Sequence, residues 1–147
     1  MARLKLEFPC AAIFQTTIRV RITDLNYGAH LGNDALLSLM HDARVQFFNF
    51  LGASEINFFN TAVIMSDVQV QYKHEGFAGD ELLFEMGIND LTERTFDVWY
   101  LVSKKVNDAK TIVAIAKTGM MCFDYTTKKV QTIPAELKEK MGVLNKN

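Results

Sequence analysis

The sequence predicts an α+β fold in which one antiparallel sheet curls around a long central helix. The first observation is an unbroken segment, ALLSLMHDARVQFFNFLG, whose apolar positions cover more than the single stripe of an ordinary surface helix. The second is that the segments after residue 61 alternate in the manner of strands, with turn signals and no helical pattern between them. A helix this apolar is most simply buried by a single sheet that wraps around it.

Length and composition favour one domain spanning residues 1–147. The chain is 49% hydrophobic with two prolines, and its 16 basic and 17 acidic residues form no block of like charge. Neither nucleic acid nor a membrane is therefore an expected partner, and no apolar stretch approaches the roughly 18 residues that span a bilayer. Cys10 and Cys122 are too few for a disulfide framework or a zinc site, so we expect reduced thiols, no bound metal and a cytoplasmic protein.

The first part of the chain is expected to contain one strand and one long helix. The segment FQTTIRVRI, residues 14–22, alternates apolar and polar side chains, which predicts a half-exposed strand. Asn33 and Asp34 then offer capping oxygens, and the helix is expected to run for about 18 residues until Gly52 ends it. A short second helical turn is expected at SEINFF, with Ser54 as its cap.

Four strands and a terminal helix are expected after Thr61. The first two strands, TAVIMSDVQVQYK and ELLFEMGINDL, are separated by the glycine-bearing turn GFAGD. The other two, TFDVWYLVSKKV and TIVAIAKTGMMCFDY, are joined through Asn107 and Asp108, which is typical of a hairpin. This spacing favours antiparallel neighbours. Pro134 stands at a helix-start position in IPAELKEKMG, which predicts a short helix.

The late strands carry apolar side chains on both faces, which indicates a homo-oligomer. In one of them Phe96 and Val98 lie on one face, whereas Trp99 and Leu101 lie on the other. A sheet buried on both faces needs a second layer, and an open sheet also has edges to protect. A homodimer or homotetramer is therefore expected.

Five segments together resemble a known family. They are RITDLNYGAHLGN, HDARVQFFNFLG, VQVQYKHEGFAGDELLFEMGI, TFDVWYLV and IPAELKEKMG, and in order they cover nearly the whole chain. The sequence resembles the hotdog-fold acyl-CoA thioesterases of the 4-hydroxybenzoyl-CoA thioesterase-like group. The resemblance implies a five-stranded antiparallel sheet around a long helix, paired protomers, and hydrolysis of acyl-CoA or a related acyl thioester. It implies no cofactor beyond the coenzyme A of the substrate.

The resemblance also implies an active-site loop. The residues that match the family's loop pattern are Asp24, His30, Leu31 and Asn33. Asn26 departs from it, because many members have there an aspartate that acts as nucleophile or general base, and an amide can do neither in the same way. Glu75 stands at a position similar to that of a glutamate in the related plant acyl-carrier-protein thioesterases.

The start of the long helix can stabilise an oxyanion. Unpaired N–H groups around Leu31, Gly32 and Asn33, with the helix dipole behind them, could point at a thioester carbonyl. The alternative is that Asn33 merely caps the helix.

Three side chains are candidates for proton transfer, and Asn26 could support them. His30 could act as a base or bind substrate, although a histidine beside a glycine loop is also a common structural hydrogen bonder. Glu75 is the preferred water activator, with a solvated strand-end charge as its alternative. Asp34 is the competing carboxylate, but acids in a first helical turn often complement the dipole. Asn26 could orient a water or donate to the thioester oxygen.

The remaining candidates are assigned to substrate binding. They are Asp24, Tyr27, Gly32, Phe47, Phe48, Phe59 and Lys73. Asp24 is expected to hold the loop, and the phenylalanines could line an acyl pocket or form plain core. Lys73 and other lysines, Lys104 among them, could meet coenzyme A phosphates or keep an edge soluble.

Two functions other than hydrolysis remain open on this scaffold. The loop with Asn26 would suit a module that holds an acyl thioester without cleaving it. A hydratase or dehydratase acting on acyl thioesters would leave the thioester intact.

Overall fold

A computed structural model describes residues 3–145 as one antiparallel sheet packed against two helices. The strands are β1 (Phe14–Arg19), β2 (Ala62–Tyr72), β3 (Glu81–Asn89), β4 (Thr95–Val106), β5 (Ala109–Asp124) and β6 (Lys129–Val130), and the helices are α1 (Asn33–Phe50) and α2 (Ala135–Leu144). Their order in the sheet is β1-β3-β4-β5-β2, with β6 paired to β5. The α+β fold with a helix against a five-stranded sheet is confirmed, and β6 is a short sixth strand that was not predicted.

The long helix α1 forms over the expected length and supplies much of the core. Phe47 and Phe48 are fully buried, and the Phe48 ring packs against Phe58 and Phe96, with ring centroids 5.0 and 6.4 Å away. Gly52, at φ +84°, follows the helix in a conformation that L side chains rarely adopt. The helix is therefore anchored along its length, and its first turn is held in a fixed place.

One face of α1 remains open in this chain. Leu37, Val45 and Phe50 are exposed, although the apolar pattern predicts that much of the helix circumference is buried. The sheet covers only the opposite face, because a single layer of strands reaches only partly around a cylinder of this size.

Three local predictions are wrong. The first strand ends at Arg19, because the Arg21 amide and guanidinium turn back onto the Asp24 carboxylate. The segment after Ser54 is not helical; the Ser54 hydroxyl accepts from the Asn57 N–H, but the chain then turns through residues of positive φ. The N-cap of α1 is Gly32, with no side-chain capping bond.

The hairpin between β4 and β5 is confirmed. Asn107 and Asp108 both have positive φ, 52° and 64°, which is the backbone that a tight two-residue hairpin requires and that these residue types tolerate. The hairpin places β4 in the middle of the sheet, between β3 and β5. The predicted terminal helix also forms as α2, directly after Pro134.

The outer face of the sheet is covered by the chain's own N-terminal segment. Leu6 and Phe8 pack with Trp99 and Ile115, and the Leu6 N–H donates to Gln71 Oε1 at 2.8 Å. These contacts explain the apolar outer positions without a second subunit, so the oligomer remains a prediction. Within residues 3–145, neither helix has the length and apolar character to cross a bilayer.

Candidate functional site

An open cleft of about 300 Å³ lies where the first turn of α1 meets the end of β2. Half of the predicted site residues line it, namely Asn26, His30, Gly32, Asn33, Lys73 and Glu75. They come from two stretches far apart in sequence, the loop before α1 and the loop after β2. The sheet and the helix therefore bring the two predicted halves of the site together.

Asn26 shapes the loop before α1. Its Oδ1 accepts from the N–H groups of Gly28 at 2.9 Å and His30 at 3.3 Å, and its own N–H donates to the His30 carbonyl oxygen at 2.8 Å. The side chain thus closes a tight turn that includes Ala29 at φ 63°. Only its Nδ2 donor is left to face a ligand. The use of Oδ1 within the loop could not be predicted from the sequence.

Two hydrogen bonds fix the end of this loop against its surroundings. The Gly32 N–H donates to the Asp24 carbonyl oxygen at 2.9 Å, and the Leu31 N–H donates to the Gly76 carbonyl oxygen at 2.7 Å. Although burial opposes it, hydrogen bonds from Arg21 hold the pKa of the Asp24 carboxyl below its ordinary value. Asp24 is buried beside the loop and does not line the cleft.

The predicted set of unpaired amides is therefore wrong for Leu31 and Gly32, because both N–H groups already have carbonyl partners. The Asn33 N–H forms no hydrogen bond with any of residues 3–145. Asn33 occupies the first position of α1, after the Gly32 N-cap, so its side chain is not the cap. Its amide is a free donor at the positive end of the helix.

His30 and Glu75 meet across the cleft. His30 Nδ1 lies 3.3 Å from Glu75 Oε1, and the two side chains are 38% and 62% exposed, so water and ligands can reach both. Because Nδ1 is the ring nitrogen nearest the carboxylate, Nε2 is the one available to a water or a substrate. The His30 ring also contacts the Phe77 ring nearly at right angles, with centroids 5.2 Å apart.

Tyr72 connects the end of β2 to the first turn of α1. Its hydroxyl donates to the Asn33 carbonyl oxygen at 3.0 Å. Burial, and then the nearby charge of Asp34, raises the pKa of Tyr72. The phenol is therefore a neutral donor at ordinary pH, and Asp34 lies on this side of the helix tip, outside the cleft lining.

The aromatic binding candidates do not line the cleft. Phe47 and Phe48 lie in the core, Phe59 packs against Phe58, and Tyr27 is fully exposed on the loop. The apolar wall is instead formed by Leu36, one turn into α1, and Val113 of β5. The helical spacing from Asn33 to Leu36 was the signal that could have identified the first of these.

A second, smaller cleft of about 210 Å³ continues the seam between α1 and β2. Leu37 and Met40 of α1 and Val68 of β2 line it, together with the buried Arg44. The buried Arg44 and Thr118 make part of its lining polar. The Arg44 guanidinium donates to the Tyr100 hydroxyl at 3.0 Å and to the Glu55 carboxylate at 3.1 Å, and the Tyr100 hydroxyl is 2.7 Å from Thr118 Oγ1.

Neither thiol suits nucleophilic chemistry. Burial raises the pKa of Cys10 and of Cys122 to about 11, so few thiolates form near neutral pH. In the described part of the chain, no three histidine, cysteine or acidic side chains are grouped as metal ligands would be.

Comparison with known proteins links this geometry to one family. A family model described as the thioesterase-like superfamily matches residues 20–141. A 1,4-dihydroxy-2-naphthoyl-CoA hydrolase of Microcystis aeruginosa is 29% identical over 122 residues, which are 81% of this chain and 82% of that protein.

Solved structures share the fold. A 1,4-dihydroxy-2-naphthoyl-CoA thioesterase from Synechocystis superposes with a TM-score of 0.77 at 17% identity, covering 88% of this chain and 95% of that one. A Staphylococcus aureus protein solved in complex with CoA superposes with a TM-score of 0.81 at 17% identity, covering 97% and 89%. At these identities the superpositions establish the hotdog architecture.

The close approach of Gly76 to Leu31 provides a test of the cleft that does not depend on its chemistry. A Cβ at Gly76 would lie 3.0 Å from the Leu31 Cβ, so Gly76→Ala should lower the free energy of unfolding by about 1–3 kcal/mol. Gly142→Ala in α2 is the control, because its Cβ meets nothing within 4 Å and should add up to about 1 kcal/mol. Urea denaturation measures both, and equal stability of the two variants would contradict the close packing.

Proposed function

Because the chain belongs to the thioesterase-like superfamily, we propose that it hydrolyses acyl-CoA thioesters to a free acid and coenzyme A in the cleft at the start of α1. Family membership agrees with the thioester hydrolysis expected from the sequence. The observation that carries the assignment of the site is the contact of His30 with Glu75, beside the free Asn33 N–H.

His30 and Glu75 form the proposed proton-transfer pair. The Glu75 carboxylate lies 3.3 Å from His30 Nδ1. In the proposed reaction it accepts the Nδ1 proton and so favours the tautomer whose Nε2 has a free lone pair. That nitrogen removes a proton from a water as the water oxygen bonds to the thioester carbon. The C–S bond then breaks, and the proton passes to the departing sulfur of coenzyme A.

The Asn33 N–H is the proposed oxyanion donor. It stands at the positive end of α1, where the helix dipole favours the charge that develops on the carbonyl oxygen. Asn26 Nδ2 is a second donor in the same cleft, because its Oδ1 is occupied by the loop. Both donors are held before substrate arrives, which keeps the reorganisation required during the reaction small.

Substrate contacts are proposed for three residues that line the cleft. Lys73 is exposed at the cleft, and its ammonium is the proposed contact for a coenzyme A phosphate. Leu36 and Val113 are the proposed apolar wall for the acyl group. A hydroxylated aromatic acyl group is our first choice, because a relative is named as a 1,4-dihydroxy-2-naphthoyl-CoA hydrolase.

The assembly and the compartment are also proposals. The chain is proposed to form a homodimer or homotetramer, and no cofactor beyond the coenzyme A of the substrate is required by the chemistry above. The eleven-residue edge strand β2 supports assembly, because within residues 3–145 no strand pairs with its outer edge, where the Val63 N–H donates to the Glu55 carbonyl oxygen. The cytoplasm is proposed because both cysteines are free.

A non-catalytic binding module is the second candidate, and Asn26 is the observation that favours it. An amide replaces the family's usual aspartate there, and its oxygen is used within the loop. Such a module would bind acyl-CoA in the same cleft and leave the thioester intact.

Hydrolysis should be measurable as thiol release from a panel of aromatic, short-chain and long-chain acyl-CoA esters. His30→Ala should lower kcat by about a hundredfold or more, because it removes the proposed base. Glu75→Gln should lower kcat more than it affects KM, because it removes the charge that orients the ring. Asp34→Asn is the matched control and should change kcat little, since Asp34 lies outside the cleft lining.

The panel also separates the alternatives. Loss of turnover at Asp34→Asn but not at Glu75→Gln would make Asp34, and not Glu75, the carboxylate that the reaction requires. Saturable acyl-CoA binding without thiol release would show that the chain is the binding module and does not act as a hydrolase.

Asn26→Asp tests the missing aspartate. A carboxylate oxygen can accept the same N–H bonds from Gly28 and His30, so the loop should keep its shape. The variant should hydrolyse faster than the natural chain if a carboxylate at this position can activate water. A lower kcat with an unchanged melting temperature would show instead that the Nδ2 donor is the group that matters.

Light scattering at micromolar concentration should give the mass of two or four chains. Val68→Lys, on the open edge β2, should shift the mass toward one chain, because a lysine on an edge strand opposes pairing. Val106→Lys, equally exposed but at the β4–β5 hairpin, should leave the mass unchanged. A single-chain mass for the natural protein would contradict the proposed assembly.

A further inference from the structure

We propose that Lys104 of β4 is a positioning residue that fixes the loop carrying Glu75 and, through Phe77, the ring of His30. This inference rests on the proposed function of the cleft, because it concerns how the His30–Glu75 pair is held. Lys104 does not line the cleft, and it acts on the pair only through other groups.

The Lys104 ammonium has three partners, all in the segment 75–80. Nζ donates to the Glu75 carbonyl oxygen at 2.8 Å and to Asp80 Oδ2 at 2.8 Å, and it stands 4.8 Å from the centre of the Phe77 ring. Its side chain is only 9% exposed. Lys104, for which the sequence offered a coenzyme A phosphate or a soluble edge, is therefore committed to the loop.

The loop between β2 and β3 is organised around these contacts. Asp80 Oδ2 also accepts from the Phe77 N–H at 2.9 Å, so one carboxylate oxygen joins the lysine and the loop backbone. The Gly79 N–H donates to the Val20 carbonyl oxygen, and the Val20 N–H donates to the Asp80 carbonyl oxygen. The far end of the loop is thus fixed to the strand region, and Lys104 holds the near end at Glu75.

The burial of the Lys104 side chain restricts where its ammonium and the partners of that ammonium can lie. An ammonium removed from water needs its partners at short distance, and charge-assisted hydrogen bonds are stronger than neutral ones. Lys104 stands on β4 and pairs there with Thr111 of β5, directly after Ser103, which is the last β4 residue paired with β3. Its backbone is therefore tied to the sheet. A displacement of the Glu75 carbonyl would leave a nearly buried charge short of a partner, and the loop therefore follows the strand.

The same contacts reach His30. The ammonium lies near the Phe77 ring, and the His30 imidazole meets that ring nearly at right angles. Phe77 is consequently held between a charge and the proposed base. A fixed loop keeps the Glu75 carboxylate in place beside Nδ1, and it keeps the Phe77 ring in place against the imidazole. Proton transfer depends steeply on such placement.

The test compares Lys104→Met with a matched control. Lys104→Met keeps an apolar stem over Phe77 and removes the ammonium, and it should lower kcat about tenfold or more with KM little changed. The control Lys110→Met breaks an ion pair of the same 2.8 Å length, to Glu85, which does not touch the loop, and it should leave kcat within about twofold. Lys104→Arg should recover part of the loss, since it restores the charge.

A double variant tests whether Lys104 acts through Glu75. If it does, Lys104→Met should cost little in a Glu75→Gln background, because effects of coupled residues are not additive. Full additivity, or a raised KM with unchanged kcat for Lys104→Met, would overturn the proposal.

A spectroscopic measurement separates this inference from the proposed function. The His30 ring signal, identified in a ¹H–¹³C spectrum by its loss in His30→Ala, should move in Lys104→Met and stay in place in Lys110→Met. An unmoved signal would overturn the positioning role, whether or not the chain hydrolyses thioesters. If Lys104→Met does not fold, Asp80→Asn should move the same signal, because it weakens the anchor of the lysine.

If the natural chain releases no thiol, the proposed function fails, and the spectrum still decides the role of Lys104. A loss of kcat in Glu75→Gln but not in Lys104→Met would overturn the positioning role alone.

Discussion

The hydrogen bond from the Leu31 N–H to the Gly76 carbonyl oxygen is the contact on which the site depends. It joins the loop before α1 to the loop after β2, and it is possible because residue 76 has no Cβ to strike Leu31. The neighbours of its two ends, His30 and Glu75, are thereby brought within 3.3 Å of each other. The buried length of α1 gives this junction its rigidity, since a helix anchored by its core side chains cannot withdraw its first turn.

The elements that could be predicted from the sequence are those whose cause is local. The apolar pattern and Gly52 determine α1, and the residue types at Asn107 and Asp108 suit the tight hairpin, so both were expected correctly. The turn after Ser54 was assigned wrongly because its capping oxygen does bind the expected N–H, yet backbone hydrogen bonds to β2 decide the path of the next residues. The two-residue β6 has no pattern of its own, since it exists only where the chain folds back onto β5.

For the site, residue types were predictable and hydrogen-bond partners were not. The loop motif identified His30 and Asn33 as candidates, but whether a neighbouring amide is free depends on a carbonyl in a distant segment. Phe47 and Phe48 were candidates for a pocket or for the core, because aromatic side chains serve both, and only the direction of the helix face distinguishes them. The partners of Lys104 could not be predicted, because a lysine in a strand carries no sign of what it binds.

The N-terminal segment that lies over the outer face of the sheet has a spectroscopic consequence. The chain contains one tryptophan, Trp99, which is nearly buried beneath Leu6, and its indole N–H has no hydrogen-bond partner within residues 3–145. An indole in such surroundings emits at shorter wavelength than one in water and is shielded from dissolved quenchers. Its fluorescence therefore reports whether the N-terminal segment is docked, on the face of the sheet opposite the helix, and it gives an intrinsic signal of the outer layer that needs no label.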